Sequence, residues 1–230
     1  MRKSIYVLIF IMIGLLPAGT MTAQEFEGII DITISTPSYD DFEEMESVVQ
    51  RFYIKKPHLR IEVEGSMSDV IILVDNDKQE IYVLDKALRR YTINTFDEYA
   101  QEDEFSITEM DFTMRRTGRT KDILGFETQL FEFTVEGEIG ESFNKIEVWT
   151  TPELDSLYKE LFFAVMDNDV EANAWQTMLV DQNLFPLQTK TYYNSSILEK
   201  SEVTQIESRS LQKDIFVIPP DYRQVDHRRK

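Results

Sequence analysis

The sequence predicts a mainly β protein with minor α content, in which antiparallel strands wrap one prominent helix. Three observations carry this. Apolar and polar residues alternate with a period of two in short runs, and turn residues separate the runs about every ten residues. A different period stands out once, where Leu154, Leu157, Tyr158, Leu161, Phe162 and Val165 form an apolar stripe at helical spacing. The chain also carries 15 Phe, 10 Tyr and 2 Trp, enough bulky rings to fill the inside of a sheet at about 1.5–3 kcal/mol per buried side chain. A helix surrounded by strands has to bury its stripe against them.

Taken in order, the chain opens with the pattern of a secretory signal peptide. Arg2 and Lys3 precede the apolar run 5–16, Pro17 and Gly19 break it, and Ala23 offers a small residue for cleavage. Twelve apolar residues fall short of the ~20 that span a bilayer, so the expectation is export with residues 1–23 removed. The destination is the periplasm, with an extracellular location as the alternative. Residues 24–222 read as a single domain and 223–230 as a short, disordered polar tail. The chain has no cysteine, which removes disulfides, thiol catalysis, cysteine metal sites and attachment through an N-terminal lipidated cysteine. Acidic side chains number 42 against 24 basic ones, and losing Arg2 and Lys3 takes the net charge from −18 to −20. Such a charge repels nucleic acid and anionic membrane surfaces, so no nucleic-acid partner is expected.

The first strand runs from Phe26 through Ile30, Ile32 and Ile34 towards Pro37. The acidic segment 40–46 reads as a hairpin tip, and strand resumes over 51–56 and again over 59–64. Residues 70–74 are apolar at every position, which predicts a central strand covered on both faces. Asp75, Asn76 and Asp77 make a hairpin turn, followed by strands at 81–84 and around Tyr91 and Ile93. Acidic residues 95–117 read as a long crossing connection, 119–124 as a short strand, and Phe131, Phe133 and Val135 as one face of the next. The run 143–149 is a strand ending in a turn at Thr150, Thr151 and Pro152. Thr151 then suits the N-cap of helix 153–165, with Pro152 at its first position and Glu153 at the positive end of its dipole. Residues 172–180 remain ambiguous between helix and strand. Strands follow at 188–193 and 198–208, and a last one at 215–217 before Pro219 and Pro220.

Several short motifs together resemble one family. They are Phe26-Glu27-Gly28, Tyr53-Ile54-Lys55 before Arg60-Ile61-Glu62, Tyr82 with Tyr91, and Ile123-Leu124-Gly125-Phe126. Val148-Trp149-Thr150, Phe185-Pro186-Leu187 and Phe216-Val217-Ile218-Pro219-Pro220-Asp221-Tyr222 complete the set. Over most of residues 25–222 the chain is similar to an uncharacterised family of exported bacterial proteins whose architecture resembles the outer-membrane lipoprotein carriers. The resemblance implies a curved antiparallel sheet, an incomplete barrel, wrapped around one or more helices. It implies that helix 153–165 sits inside the curve. Trp149, Leu154, Leu157, Tyr158, Leu161, Phe162, Phe131 and Phe133 are then the candidate lining for a lipid, an acyl chain or another hydrophobic ligand. The chain departs from the carriers in matching none of their functional residues, so the cargo stays open.

The residues also argue against catalysis. The histidines are His58, beside a turn proline, and His227 in the tail, and no Gly-x-Ser-x-Gly elbow exists. Nothing singles out two carboxylates for acid–base work. Asp75-Asn76-Asp77 and the loop from Asp167 to Glu171 begin like calcium loops, but neither has glycine at the sixth position or glutamate at the twelfth. Weak calcium binding at the second loop stays as an expectation to be tested; no cofactor is expected. Two functions remain. One is a non-enzymatic envelope protein holding a hydrophobic ligand in its concave face. The other is an interaction or sensor module with a filled core, whose acidic loops 40–46 and 97–111 contact a basic envelope partner.

Overall fold

The computed structural model describes residues 26–38, 45–65, 69–96, 112–135, 145–154, 157, 174–193 and 196–226. The first six strands are β1 (Gly28–Pro37), β2 (Met45–Lys55), β3 (His58–Glu64), β4 (Val70–Asp75), β5 (Glu80–Asp85) and β6 (Arg90–Thr95). Then come β7 (Phe112–Ile123), β8 (Phe126–Val135), β9 (Lys145–Thr151), helix α1 (Ala174–Asp181), β10 (Phe185–Tyr193) and β11 (Ser196–Ser208). A 3-10 turn, Lys213–Phe216, and a two-residue strand β12 (Arg223–Gln224) follow.

All twelve strands belong to one sheet, in the order β12-β6-β5-β4-β3-β2-β1-β11-β10-β9-β8-β7. Two antiparallel meanders, β1–β6 and β7–β11, therefore lie side by side and are joined where β1 pairs with β11. The right-handed twist between neighbouring strands accumulates over so wide a sheet and curls it. The result is the curved, open, mainly antiparallel sheet that was expected. The edges β12 and β7 do not pair with each other among the described residues, so the barrel is incomplete.

The join is tightly made. Gly28 faces Ser208, and a Cβ there would come 2.1 Å from the Glu207 carbonyl oxygen and 2.8 Å from the Phe26 ring. Only glycine lets the two backbones and that ring approach so closely. Three residues further along β1, Arg51 donates from Nε and from its terminal nitrogen to both oxygens of buried Asp31, each at 2.8 Å. The Thr204 hydroxyl donates to the Asp31 carbonyl at 3.3 Å, where the register of β1 against β11 shifts. The Glu27 carboxylate accepts from Lys55 Nζ at 2.6 Å, from the Leu211 N–H at 2.5 Å and from the Ser210 hydroxyl at 3.2 Å.

The inner face is apolar. Ile30, Phe52, Ile54, Ile61, Val74 and Ile81 of one meander and Phe131, Phe133, Ile146, Val148, Phe185, Leu187 and Val203 of the other share a single cluster with Leu157, Leu179 and Val180. Residues 174–181, left ambiguous by their pattern, form α1, and its end explains why. The Leu184 N–H donates to the Leu179 carbonyl at 3.0 Å and the Asn183 N–H to the Val180 carbonyl at 3.1 Å, with Asn183 at φ 56°. This is a Schellman end with asparagine in the left-handed position, and Leu184 packs back with Leu179 in the same cluster.

The outer face explains the doubly apolar run at 70–74. Ile72 and Val74 face the inner cluster, whereas Ile71 and Leu73 join Leu84, Tyr82 and Tyr91 on the outside. A strap made by the chain after β11 covers them. It crosses β3 where the Ile215 carbonyl accepts from Arg60 at 2.8 Å and Phe216 meets the His58 ring at 5.8 Å. Ile218 and Tyr222 seal the small outer cluster, and Arg223–Gln224, expected to begin a disordered tail, instead adds to β6 as a parallel edge strand. The strand expected at 215–217 is thus a 3-10 turn and the start of this strap: lying across the strands, it has no ladder to join.

Other boundaries also moved. Strand β2 starts at Met45, not Arg51, and β7 at Phe112, not Arg119. In β7 a bulge between Arg116 and Thr120, with Gly118 at φ 76°, interrupts the alternation that marks a strand. Strand β9 continues through Thr151, where a turn was expected, although the Thr151 hydroxyl does accept from the Glu153 N–H at 3.3 Å as a cap would. Helix 153–165 lies outside the described residues except for Glu153 and partly buried Leu154, which are in a turn, and for Leu157, which is helical and 1% exposed.

Gly28→Ala should cost roughly 1–3 kcal/mol in urea unfolding, and an unchanged midpoint would refute the close approach at the join. The hydrogen bond from Lys55, then that from the Leu211 N–H, hold the Glu27 carboxyl below its ordinary value of 4.5. A carboxyl depressed in the folded state stabilises fully above its unfolded pKa and loses that contribution as pH falls through the folded value. Glu27→Gln should therefore lower stability at pH 7 and flatten its decline below about pH 4.5; parallel acid profiles for the two proteins would contradict this.

Candidate functional site

Of the residues expected to line a ligand site, Phe131, Phe133, Leu154 and Leu157 come together on the inner face. Strands β8 and β9 set Phe131 beside Val148 and Phe133 beside Ile146. Helix α1 closes over them, with Trp175 edge-on to Phe133 at a centroid distance of 5.7 Å. Phe133 is fully buried and Phe131 nearly so, so this part of the concave side is filled by the protein's own side chains. Tyr158, Leu161 and Phe162 lie outside the described residues.

Trp149 is elsewhere. Successive side chains of a strand point to opposite faces, and Val148 belongs to the inner cluster. Trp149 stands opposite Leu130 on the reverse of the sheet. There Lys121 Nζ sits 4.2 Å and the Arg119 guanidinium 5.6 Å from the indole centroid. It cannot line the inner face together with Phe131. The resemblance implied a lining residue, but alternation from Val148 is the signal that assigns the face.

The inner cluster reaches the surface at one end through a cleft of about 410 Å³. Phe131, Leu184 and Pro152 supply its apolar wall, and Arg116, Thr120, Glu127, Gln129 and Gln182 are among its polar groups. Two structural devices place this wall. The bulge of β7 delivers Arg116 opposite Phe131, and the Schellman end of α1 turns Leu184 and Gln182 towards β7, where the Gln182 amide reaches Met114 Sδ at 3.2 Å. A second cleft, of about 770 Å³, opens beside β12 between Val83, Thr92, Gln224 and Val225, with Asp85, Arg90 and Asp226 at its rim. Both volumes fall in the range of small-molecule pockets, about 300–1,000 Å³.

On the outer face, Lys145 Nζ lies 4.2 Å from the Tyr192 centroid and 2.9 Å from Glu147, which accepts the Tyr192 hydroxyl at 3.0 Å. Burial, then the hydrogen bond given to Glu147, pushes the Tyr192 pKa up to about 12. Burial first, and then the charge of Lys190, pulls Lys121 below the ordinary lysine value. Sequence reasoning missed this aromatic and cationic layer, because its members come from β7, β9 and β10.

No catalytic arrangement forms around His58: its ring meets Phe216, and its Nδ1 is 3.9 Å from Asp75. Asp75 itself accepts the Lys78 N–H at 3.2 Å and pairs with Lys78 Nζ at 3.0 Å, as the hairpin turn expected there requires. The loop 167–171 lies outside the described residues. Among the described residues no group of three or more His, Cys, Asp or Glu could hold a metal ion, and no helix is long and apolar enough to cross a membrane.

Comparison with curated proteins finds no match for the chain. Solved structures similar to it include an uncharacterized conserved protein from Thermus thermophilus, at 11% identity and a TM-score of 0.49, covering 87% of this chain and 91% of that one. Lipoprotein LppX from Mycobacterium tuberculosis is similar at 10% identity and a TM-score of 0.40, with 80% and 89% covered. A DUF1329 family protein from Desulfovibrio piger is similar at 7% identity and a TM-score of 0.32, with 85% and 91% covered. The motifs that run from Phe26-Glu27-Gly28 to Asp221-Tyr222 have a family model of their own: over residues 26–222 the chain matches, and belongs to, the family described as a domain of unknown function, DUF4412.

Proposed function

We propose that this chain is a non-enzymatic envelope protein that holds the apolar part of a lipid or acyl chain at the inner face of its curved sheet. In this reading residues 1–23 are removed on export and 24–222 act as one binding domain in the periplasm. The observation that carries it is the cleft of about 410 Å³, because it joins solvent to Phe131, a member of the apolar cluster. An acyl chain entering there would displace water from Phe131, Leu184 and Pro152, which is favourable in proportion to the apolar area covered. Polar groups at the rim, Arg116, Gln129 and Gln182 among them, would stay in contact with the guest's head.

A second reading has an observation of its own. Phe133, Leu179 and Leu157 are each at most 1% exposed, so the described centre of the inner face is already full. This supports an interaction or sensor module that meets a basic partner through its acidic segments 40–46 and 97–111. Residues 40–44 and 97–111 lie outside the described residues.

Native mass spectrometry of protein purified without detergent separates the two readings. Guest binding predicts adducts, or uptake of added fatty acid, and a clean unliganded mass with no uptake leaves the module. Filling the cleft with Gln129→Trp should lower fatty-acid affinity at least ten-fold with little change in melting temperature. Retained uptake in that variant would move the site away from Phe131.

A further inference from the structure

One buried oxygen of α1 has no partner. Gln176 is the third residue of that helix, and its Oε1 is buried without a hydrogen bond among the described residues. No other buried side-chain nitrogen or oxygen among those residues is left in this state. An acceptor buried and unpaired costs free energy, which is why such atoms are few in folded proteins. The helix does not call for it either. Leucine or methionine at this position would suit an α-helix as well as glutamine and would bury no acceptor.

The oxygen lies inward of the cleft at Phe131. Residues three and four apart share a helix face, so Gln176 is on the same side as Leu179 and Val180, both buried in the inner cluster. Its neighbour Trp175 meets Phe133, the next inner side chain of β8 after Phe131. Gln182, just past the other end of α1, lines the cleft together with Phe131. From Gln182 back to Gln176 the chain covers about 9 Å of helix axis, at 1.5 Å for each residue. The side chains on the way can yield. Met178 of α1 and Met114 of β7 are only partly buried against the cluster, and an unbranched thioether repacks easily.

We propose that the guest is an acyl chain carrying a hydroxyl group part-way along its length, and that Gln176 Oε1 accepts the hydrogen bond from that hydroxyl. This rests on the guest-binding reading and names the chemistry of its guest. With the head at the rim beside Arg116 and Gln182, a plain chain passing under α1 would cover the oxygen with methylene groups and leave it unpaired. A hydroxylated chain would pair it, in surroundings where a hydrogen bond is strong because water is absent. A site that keeps a buried polar group for a hydroxyl rejects the analogue lacking one. Position matters as much as presence. An extended chain advances roughly 1.2 Å per bond, so about the ninth carbon comes level with the oxygen. A hydroxyl on the third carbon would stay at the rim.

Competition between guests, read by native mass spectrometry of the protein purified without detergent, tests this. The probes are octadecanoic acid, 3-hydroxyoctadecanoic acid and 9-hydroxyoctadecanoic acid. The 9-hydroxy acid should bind about ten-fold more tightly than either of the others, the worth of one added hydrogen bond. Gln176→Leu should abolish that preference while holding octadecanoic acid at least as tightly as before. It should also melt at the same or a higher temperature, because it buries no unpaired acceptor. Equal affinity of the unaltered protein for all three acids, a preference for the 3-hydroxy acid, or a 9-hydroxy preference that survives in Gln176→Leu overturns the proposal. In each of those cases uptake itself would keep the guest-binding reading. Uptake of none of the three acids would remove both.

Discussion

The fold depends on one pairing, β1 against β11. It brings residues 28–35 alongside residues 200–208, a contact that closes a loop through almost the whole domain. Each meander can form from hairpins between near neighbours, but this contact must be made at a distance, with the entropy cost and slow search that long loops bring. The chemistry concentrated there is what so demanding a contact calls for. Gly28 allows the backbones to meet, Asp31 and Arg51 form a forked ion pair beside the bulge, and Glu27 binds the chain as it leaves β11. Without the pairing there would be two narrower sheets, each exposing the apolar inner face it now shares.

The same join decides how the outer face is divided. Beyond Leu211 the strap is directed across β3, β4 and β5, so these strands of the first meander are covered on both sides. The second meander has no such cover among the described residues, and its outer face carries Lys121 over Trp149 and Lys145 over Tyr192 instead. In those stacks the lysine ammonium groups lie over the ring faces, and each is also bonded within the sheet, Lys121 to Gln188 and Lys145 to Glu147.

What was legible in the sequence was whatever rests on neighbours along the chain. Alternation in 28–34, 59–64 and 80–84 sets strands, since a strand with one buried face needs an apolar residue at every second position. The unbroken apolar run at 70–74 correctly signalled two covered faces. The bond from the Glu153 N–H to the Thr151 hydroxyl was legible too, because it joins a backbone to a side chain two residues away. Gly125 was visible for a related reason: its φ of 84° is a local demand of the turn.

What only the tertiary structure decided depends on groups far apart in the chain. The sequence shows that residues 70–74 are covered but not that Ile218 and Tyr222 cover them. It shows an aromatic at 149, but the ring's face follows from the pleat of a strand whose neighbours β8 and β10 must first be known. The strap at 213–222 has strand-like composition and no strand geometry, because hydrogen-bonding partners, not β-branched content, make a ladder. The bulge in β7 hid a strand by breaking its period, and the cleft it helps to form exists only once β7, β8, β9 and the end of α1 converge. Local periodicity records which side chains want burial; which surfaces bury them is settled by long-range pairing, and that is written in no single stretch of the chain.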